Sequence, residues 1–240
     1  MVQIEGLVKV FKGRSGSIRA VDGMSFSANP GEIVAVLGPN GAGKTTCFRM
    51  LVGVLKPDSG TILINQEPPE KAKNSVGFLP ADSGLYARLT PREVLWIFGR
   101  LARVEKEELR NRIDELRDAL QMGDFMDRRI RSLSTGMKQR VAVARCLVHD
   151  PDVLIMDEPT RGLDVESSIA VEEALKKARN DGRTVLFSTH IMEEAEYLAD
   201  RIVVVNHGKV MAQGSVEQLR QMTKAHKLRE VYLKLVRGEK

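Results

Sequence analysis

The stretch Gly38-Pro-Asn-Gly-Ala-Gly43-Lys44-Thr45 constrains this 240-residue chain more than any other. It matches the pattern G-x-x-x-x-G-K-[ST], for which chance gives on the order of one match per 100 chains of this length. Before it runs Glu32–Leu37, a short β-branched apolar segment bounded by Pro30-Gly31 and Gly38-Pro39. That segment is too short for a helix and predicts a buried strand. After it, Lys44–Leu55 has a helical pattern. Strand, glycine-rich bend and helix in that order are the setting in which backbone N–H groups curl around phosphate oxygens. The helix start adds its positive end. Lys44 supplies a point charge for terminal phosphates, and the Thr45 hydroxyl is a ligand for Mg²⁺. The expected nucleotide-binding residues here are Gly38, Pro39, Asn40, Gly41, Ala42, Gly43, Lys44, Thr45 and Thr46.

The rest of the chain predicts an α/β fold, a phosphate-loop NTPase core carrying additions. Val2–Val10 alternates apolar and polar residues, a turn is expected at Gly13–Ser17, and Val21–Ala28 reads as the hairpin partner. Thr61–Asn65 and Ser75–Leu79 read as strands. The chain then changes character. Thr90-Pro91-Arg92-Glu93 is a helix start, with Thr90 as N-cap, Pro91 in the first turn and Glu93 three residues on. Leu109, Ile113, Leu116 and Leu120 recur at helical spacing, so one face of Glu105–Leu120 is buried. Roughly 85–148 is therefore an all-helical insert. Alternation resumes with strands at Val153–Met156, Thr184–Ser188 and Ile202–Asn206, helices at Ser167–Asn180 and Met192–Ala199, and a last hairpin around Gly208 and Gly214.

Composition narrows the class. With 42% hydrophobic and 29% charged residues the chain is an ordinary globular protein. No apolar run exceeds five residues, Ile33–Leu37 and Val94–Phe98 being the longest, whereas a membrane-crossing helix needs about 20. The N-terminus lacks a basic and an apolar region, which predicts no signal peptide and a cytoplasmic location. Two cysteines, Cys47 and Cys146, fit a reducing compartment. The net charge of +5 suits an anionic partner, but aromatics are only 5% and nowhere interleave with Arg and Lys. Nucleic acid is not expected as a partner.

Val153-Leu-Ile-Met-Asp157-Glu158-Pro159 is an apolar strand ending in two carboxylates. If strand geometry continues, the two side chains point to opposite sides. Asp157 then reaches Mg²⁺ through water, while Glu158 faces an attacking water as general base. Leu133-Ser134-Thr135-Gly136-Met137-Lys138-Gln139-Arg140 precedes the apolar helix Val141–Val148. At this point the chain resembles the nucleotide-binding subunits of ABC transporters, whose signature L-S-G-G-Q it follows with Thr135 for the first glycine and Met137 for the glutamine.

The resemblance covers nearly the whole chain. It implies a RecA-like core with an N-terminal antiparallel β subdomain at 1–84 and 149–215. It further implies a helical signature domain at 85–148 and a helical tail at 216–240. It implies ATP hydrolysis with Mg²⁺, with Lys44, Glu158 and His190 as catalytic residues. His190 in Ser-Thr-His is similar to the family's switch histidine, and Gly162-Leu163-Asp164 to its D-loop. Phe11, 27 residues before Gly38, stands where the family stacks a ring on adenine, and Val21 is implied beside it. Ser134 and Gly136 are implied to face the γ-phosphate held by a second copy, in an ATP-dependent head-to-tail homodimer. After Gly77-Phe78-Leu79 the family usually carries a metal-touching glutamine; here Pro80-Ala81-Asp82 stands in its place, and Asp82 is the candidate ligand.

The family's membrane permease subunits dock near residues 80–90, where Gly84-Leu85-Tyr86 and Arg88-Leu89 are the candidates. Localisation at the inner face of the cell membrane follows from that docking. Within the family the chain is most similar to ABC-2-type export ATPases, and the missing glutamine looks most like the sodium-extrusion (NatA-type) members. The tail from Lys224 holds six Lys/Arg against two Glu, suited to an anionic membrane surface or to a solvated helix end. Two other classes stay open on the sequence: an ABC-type ATPase uncoupled from transport, and a nucleotide-sensing module without turnover.

Overall fold

The computed structural model describes residues 1–13, 16–82 and 84–238. The expected turn at Gly13–Ser17 has its tip, Arg14 and Ser15, outside the described residues, as are Ser83 and the last two residues of the tail. A long hairpin, β1 (Val2–Gly13) and β2 (Gly16–Ala28), joins β4 (Ser59–Ile64) in an antiparallel sheet ordered β2-β1-β4. The main sheet contains β3 (Ile33–Leu37), β5 (Val76–Leu79), β6 (Val153–Asp157), β7 (Thr184–Thr189), β8 (Arg201–Asn206) and β9 (Lys209–Gly214). Its order is β5-β6-β7-β3-β8-β9, parallel except for the β8–β9 hairpin at one edge.

The apolar runs of β3 and β6 are buried at every position because both sheet faces are covered. Residue parity in β3 separates the two cores, as the period of two requires. Ile33, Ala35 and Leu37 face a core shared with α4 (Thr135–Leu147), α5 (Val165–Asn180) and α6 (Met192–Leu198). Val34 and Val36 face one built with α1 (Lys44–Leu51) and the antiparallel sheet, around Phe48, Leu51, Leu7 and Met24. The tail forms α7 (Val216–Thr223) and α8 (Leu228–Arg237), packed together and onto β9. Among the described residues no helix is long and apolar enough to cross a membrane.

Several local expectations meet tertiary detail. The helix expected to reach Leu55 ends at Leu51, because Gly53 turns left-handed at φ 69° and terminates it. The helix after β6 begins at Val165, ahead of the expected Ser167, because the Asp164 carboxylate caps it by accepting from Ser167 N at 2.8 Å. In the helical insert, α2 (Pro91–Leu101) starts with the full capping box: Glu93 N donates to Thr90 Oγ1 at 3.2 Å and Thr90 N to Glu93 Oε2 at 2.8 Å. Thr90→Ala should lower stability by about 1 kcal/mol and Thr90→Ser should recover most of it, read by chemical denaturation. Equal stability of all three would show that the cap contributes nothing. Leu109, Ile113 and Leu116 of α3 (Lys106–Ala119), with Leu120 beyond it, form the buried face as their spacing predicts.

Candidate functional site

The phosphate loop occupies the bend between β3 and α1. Gly43 sits at φ 100° with its Cα against the Ala20 carbonyl, so a Cβ there would collide with β2 backbone. Gly43 is also the N-cap of α1, without a side-chain cap and without an acidic residue in the first turn. The helix start therefore presents uncompensated N–H groups, the arrangement that favours an anion. Lys44 is only 5% exposed. Its ammonium donates to the Gly38 carbonyl at 2.6 Å and to Pro39 at 3.1 Å, which folds it back along the loop. Burial lowers its pKa, and the nearby Glu158 and Asp157 charges oppose that shift.

Thr45 and Asp157 meet across the end of the sheet. Thr45 Oγ1 donates to Asp157 Oδ2 at 2.6 Å, and Ser188 Oγ of the neighbouring β7 donates to Asp157 Oδ1. Asp157 is 2% exposed. Beyond it the strand geometry does not continue: Glu158 turns into the left-handed region at φ 53°. A non-glycine residue there carries roughly 1–3 kcal/mol of strain. The turn is held by Glu158 N, which donates to the Ser188 carbonyl at 3.2 Å and the Ser188 hydroxyl at 3.1 Å. The expectation of opposite-facing side chains on a straight strand is corrected accordingly. The left-handed turn swings the Glu158 carboxylate to the ring of His190, Oε1 to Nδ1 2.8 Å. Arg161 lies 3.5 Å from the other oxygen.

Two cavities open on these groups. One of about 420 Å³ is lined by the loop, by Glu158 and by Ile18, Arg19, Ala20 and His207. Sequence reading missed Arg19 and His207: they approach the loop from β2 and from the β8–β9 turn, far away in the chain. The other, about 850 Å³, is lined by Asn40, Thr45, Ala81, Glu158, His190 and the D-loop segment among others. Its lining also includes Thr160 and Glu194, which no motif marked.

Not every expected residue comes to these cavities. Val21 is fully buried beneath the hairpin, so its side chain offers nothing to a nucleotide; its predecessors Ile18, Arg19 and Ala20 line the cavity instead. Phe11 is 44% exposed and pairs with Ile18 across the hairpin. Asp82 lines a separate groove with Phe98 and Arg145, while Ala81 faces the cleft. Asp82 is thus on a different cavity from Thr45.

Ser134 and Gly136 line neither cavity. Ser134 Oγ accepts from Met137 N at 3.2 Å as the cap of α4, and Gly136 lies beside Leu163. Gly162 lies beside Thr135, so signature and D-loop of one chain pack together. Gln139, unmarked in sequence, ties α4 to the Glu158 turn by donating to the Pro159 carbonyl at 2.8 Å. Leu85 and Leu89 pack beneath the helical insert, which leaves Tyr86 and Arg88 exposed at that junction.

A glycine-lined phosphate cradle, a buried strand-end carboxylate facing its threonine, and a Glu–His pair make up a site of the nucleoside triphosphatase class. Residues 21–161 match the family model described as ABC transporter. The chain is 38% identical over 244 residues to the ABC transporter ATP-binding protein NatA of Bacillus subtilis (strain 168), covering 99% of each. It is 41% identical to the Nod factor export ATP-binding protein I of Ralstonia nicotianae, over 91% of this chain and 68% of that one. A solved ATP-binding subunit of an ABC transporter superposes with TM-score 0.90 at 27% identity, over 98% of this chain and 99% of that one. A dimeric ATP-binding cassette in a post-hydrolysis state with ADP and Pi superposes with TM-score 0.81 at 26% identity, over 90% and 99%. The chain belongs to the ABC transporter family. It is the ATP-binding subunit of an ATP-driven transporter, and its enzymatic activity is ATP hydrolysis.

Proposed function

We propose that this subunit powers export through separate membrane permease subunits, closing head to tail with a second copy around two ATP. The Glu158–His190 contact of 2.8 Å at the mouth of the phosphate loop carries the hydrolytic part of this reading. Glu158 accepts a proton from the attacking water, a role worth roughly 10²–10⁴ in rate. His190 orients that carboxylate and shares a cavity with Thr45 and Glu158. Lys44 and the first N–H groups of α1 hold the β- and γ-phosphates.

The metal site fits Mg²⁺. A hydroxyl and a carboxylate oxygen 2.6 Å apart, Thr45 and Asp157, are hard oxygen donors. Thr45 and Asp157 would hold the ion, a small protein share of the kind that Mg²⁺ usually takes. When bound, Mg²⁺ neutralises charge on the phosphoryl oxygens.

Dimer closure is supported by the signature's position. Ser134 and Gly136 stay outside the cavities of their own chain, so a partner is needed to bring them to a γ-phosphate. Residues 85–148 act as the signature domain, 1–84 with 149–215 as the nucleotide core and 216–240 as a tail. The permease docks beside Tyr86 and Arg88, which puts the subunit at the cytoplasmic face of the membrane. Similarity to Nod factor export ATP-binding proteins supports export.

Mixing two inactive chains tests the composite site. Lys44→Ala and Ser134→Arg should each be inactive alone. Mixed in equal amounts they should recover about a quarter of the parent ATPase rate, since half of random dimers carry one intact site of two. No recovery, or parent activity in Ser134→Arg alone, would overturn the shared site.

A further inference from the structure

Three charged side chains are buried among the described residues: Lys44, Asp157 and Glu194. The first two belong to the phosphate loop and the metal site. Glu194 has no such assignment, yet burying a carboxylate is costly unless donors surround it. Its donors are two hydroxyls, one from the loop after β6 and one from the end of β7. Thr160 Oγ1 donates to Glu194 Oε1 at 2.5 Å, and Thr189 Oγ1 donates to Oε2. The Thr189 oxygen in turn accepts from Ile191 N at 2.9 Å.

These bonds bracket the hydrolytic pair. Thr160 follows Glu158 by two residues, in the loop after β6. Thr189, the last residue of β7, and Ile191, in the loop after it, stand on either side of His190. A continuous chain thus runs from Ile191 N–H through the Thr189 hydroxyl to the Glu194 carboxylate, and on to the Thr160 hydroxyl. The carboxylate sits in the first turn of α6 without capping it, so its hydrogen-bonding capacity goes to the two hydroxyls. Burial raises its pKa, and the two hydroxyl bonds act in the opposite sense.

We propose that Glu194 is a positioning residue for ATP hydrolysis, clasping the loop that carries Glu158 to the loop that carries His190. The proposal rests on the reading of Glu158 and His190 as the hydrolytic pair. It assigns Glu194 no contact with ATP; its effect passes through the geometry of the pair. Misplacement of reacting groups by about 1 Å costs on the order of 10²-fold in rate.

The test is steady-state ATPase of the full chain, with thermal denaturation alongside. Glu194→Ala and Thr189→Val should each lower kcat on the order of 10²-fold with KM for ATP within about twofold. Thr189→Ser should restore the parent kcat, and Glu194→Gln should recover part of it. In a His190→Ala background, Glu194→Ala should cost little more, because both changes break one unit. Parent kcat in Glu194→Ala overturns the proposal. So does a loss shared equally by kcat, KM and melting temperature, which marks a merely structural role. If Glu194→Ala does not fold, the Thr189 pair decides: low kcat for Val with parent kcat for Ser supports the clasp, and equal rates sink it. Glu158→Gln and His190→Ala run in parallel; parent rates there would mean that the reading of the pair, rather than the clasp, has failed.

Discussion

Lys44→Ala will bind ATP about 30- to 4,000-fold more weakly than the parent, and its hydrolysis will be lost. Removing one partner of a desolvated charge pair costs on the order of 2–5 kcal/mol, and every 1.4 kcal/mol is about tenfold in affinity. Lys44 fits that case because it is 5% exposed and its ammonium rests on the Gly38 and Pro39 carbonyls at the mouth of the loop. In the substituted chain the Asp157 and Glu158 carboxylates face the triphosphate with no buried cation between them. Repulsion adds to the lost attraction. Calorimetric titration with ATP measures the first effect and phosphate release the second. A substituted chain that bound and consumed ATP as the parent does would remove the basis for every role assigned around the loop.

Glu158→Gln will turn over roughly 10²–10⁴-fold more slowly while binding ATP with nearly parent affinity. The amide keeps the size of the side chain and an oxygen to accept from His190 Nδ1. It loses the negative charge that takes a proton from water. The backbone is not the variable, since the left-handed turn at φ 53° is held by Ser188 rather than by the Glu158 side chain. With hydrolysis slowed and binding intact, the ATP-bound dimer should persist, and size-exclusion chromatography with ATP should show it. Turnover at the parent rate would exclude Glu158 as the general base. A slow variant that stayed monomeric in saturating ATP would leave the base in place and refute closure by a second copy.

The sequence legible at this site is the part governed by neighbours in the chain. A five-residue apolar run between glycine–proline pairs has few options besides a buried strand, and β3 is that strand. The glycine-rich bend, the capping box at Thr90 and the 3–4 spacing of Leu109, Ile113 and Leu116 are likewise local physics, and the structure contains all three elements. Resemblance to a family added the composite reading of Ser134 and His190, which spacing alone does not contain.

Other features depend on which strands become neighbours. The pairing of β7 with both β6 and β3 brings Ser188 to Asp157 and bends the chain at Glu158. Nothing in Met156-Asp157-Glu158-Pro159 announces a left-handed glutamate, because the bonds that hold it come from 30 residues away. Asp82 shows the converse. Its chemistry suited a metal, but the loop after β5 aims Ala81 into the cleft and Asp82 into another groove. Val21 likewise had the right place in sequence, and strand parity put it inside the hairpin.

The chain's own order of residues therefore settled where it would form strands, helices and a phosphate-holding bend, since those are decided within a few residues by backbone sterics, burial period and capping. Which carboxylate meets which hydroxyl was left to folding. The Thr45–Asp157 contact, the Glu158–His190 pair and the buried Glu194 each join segments from separate elements, and only the packing of a parallel sheet with its crossover helices brings such segments within hydrogen-bonding reach.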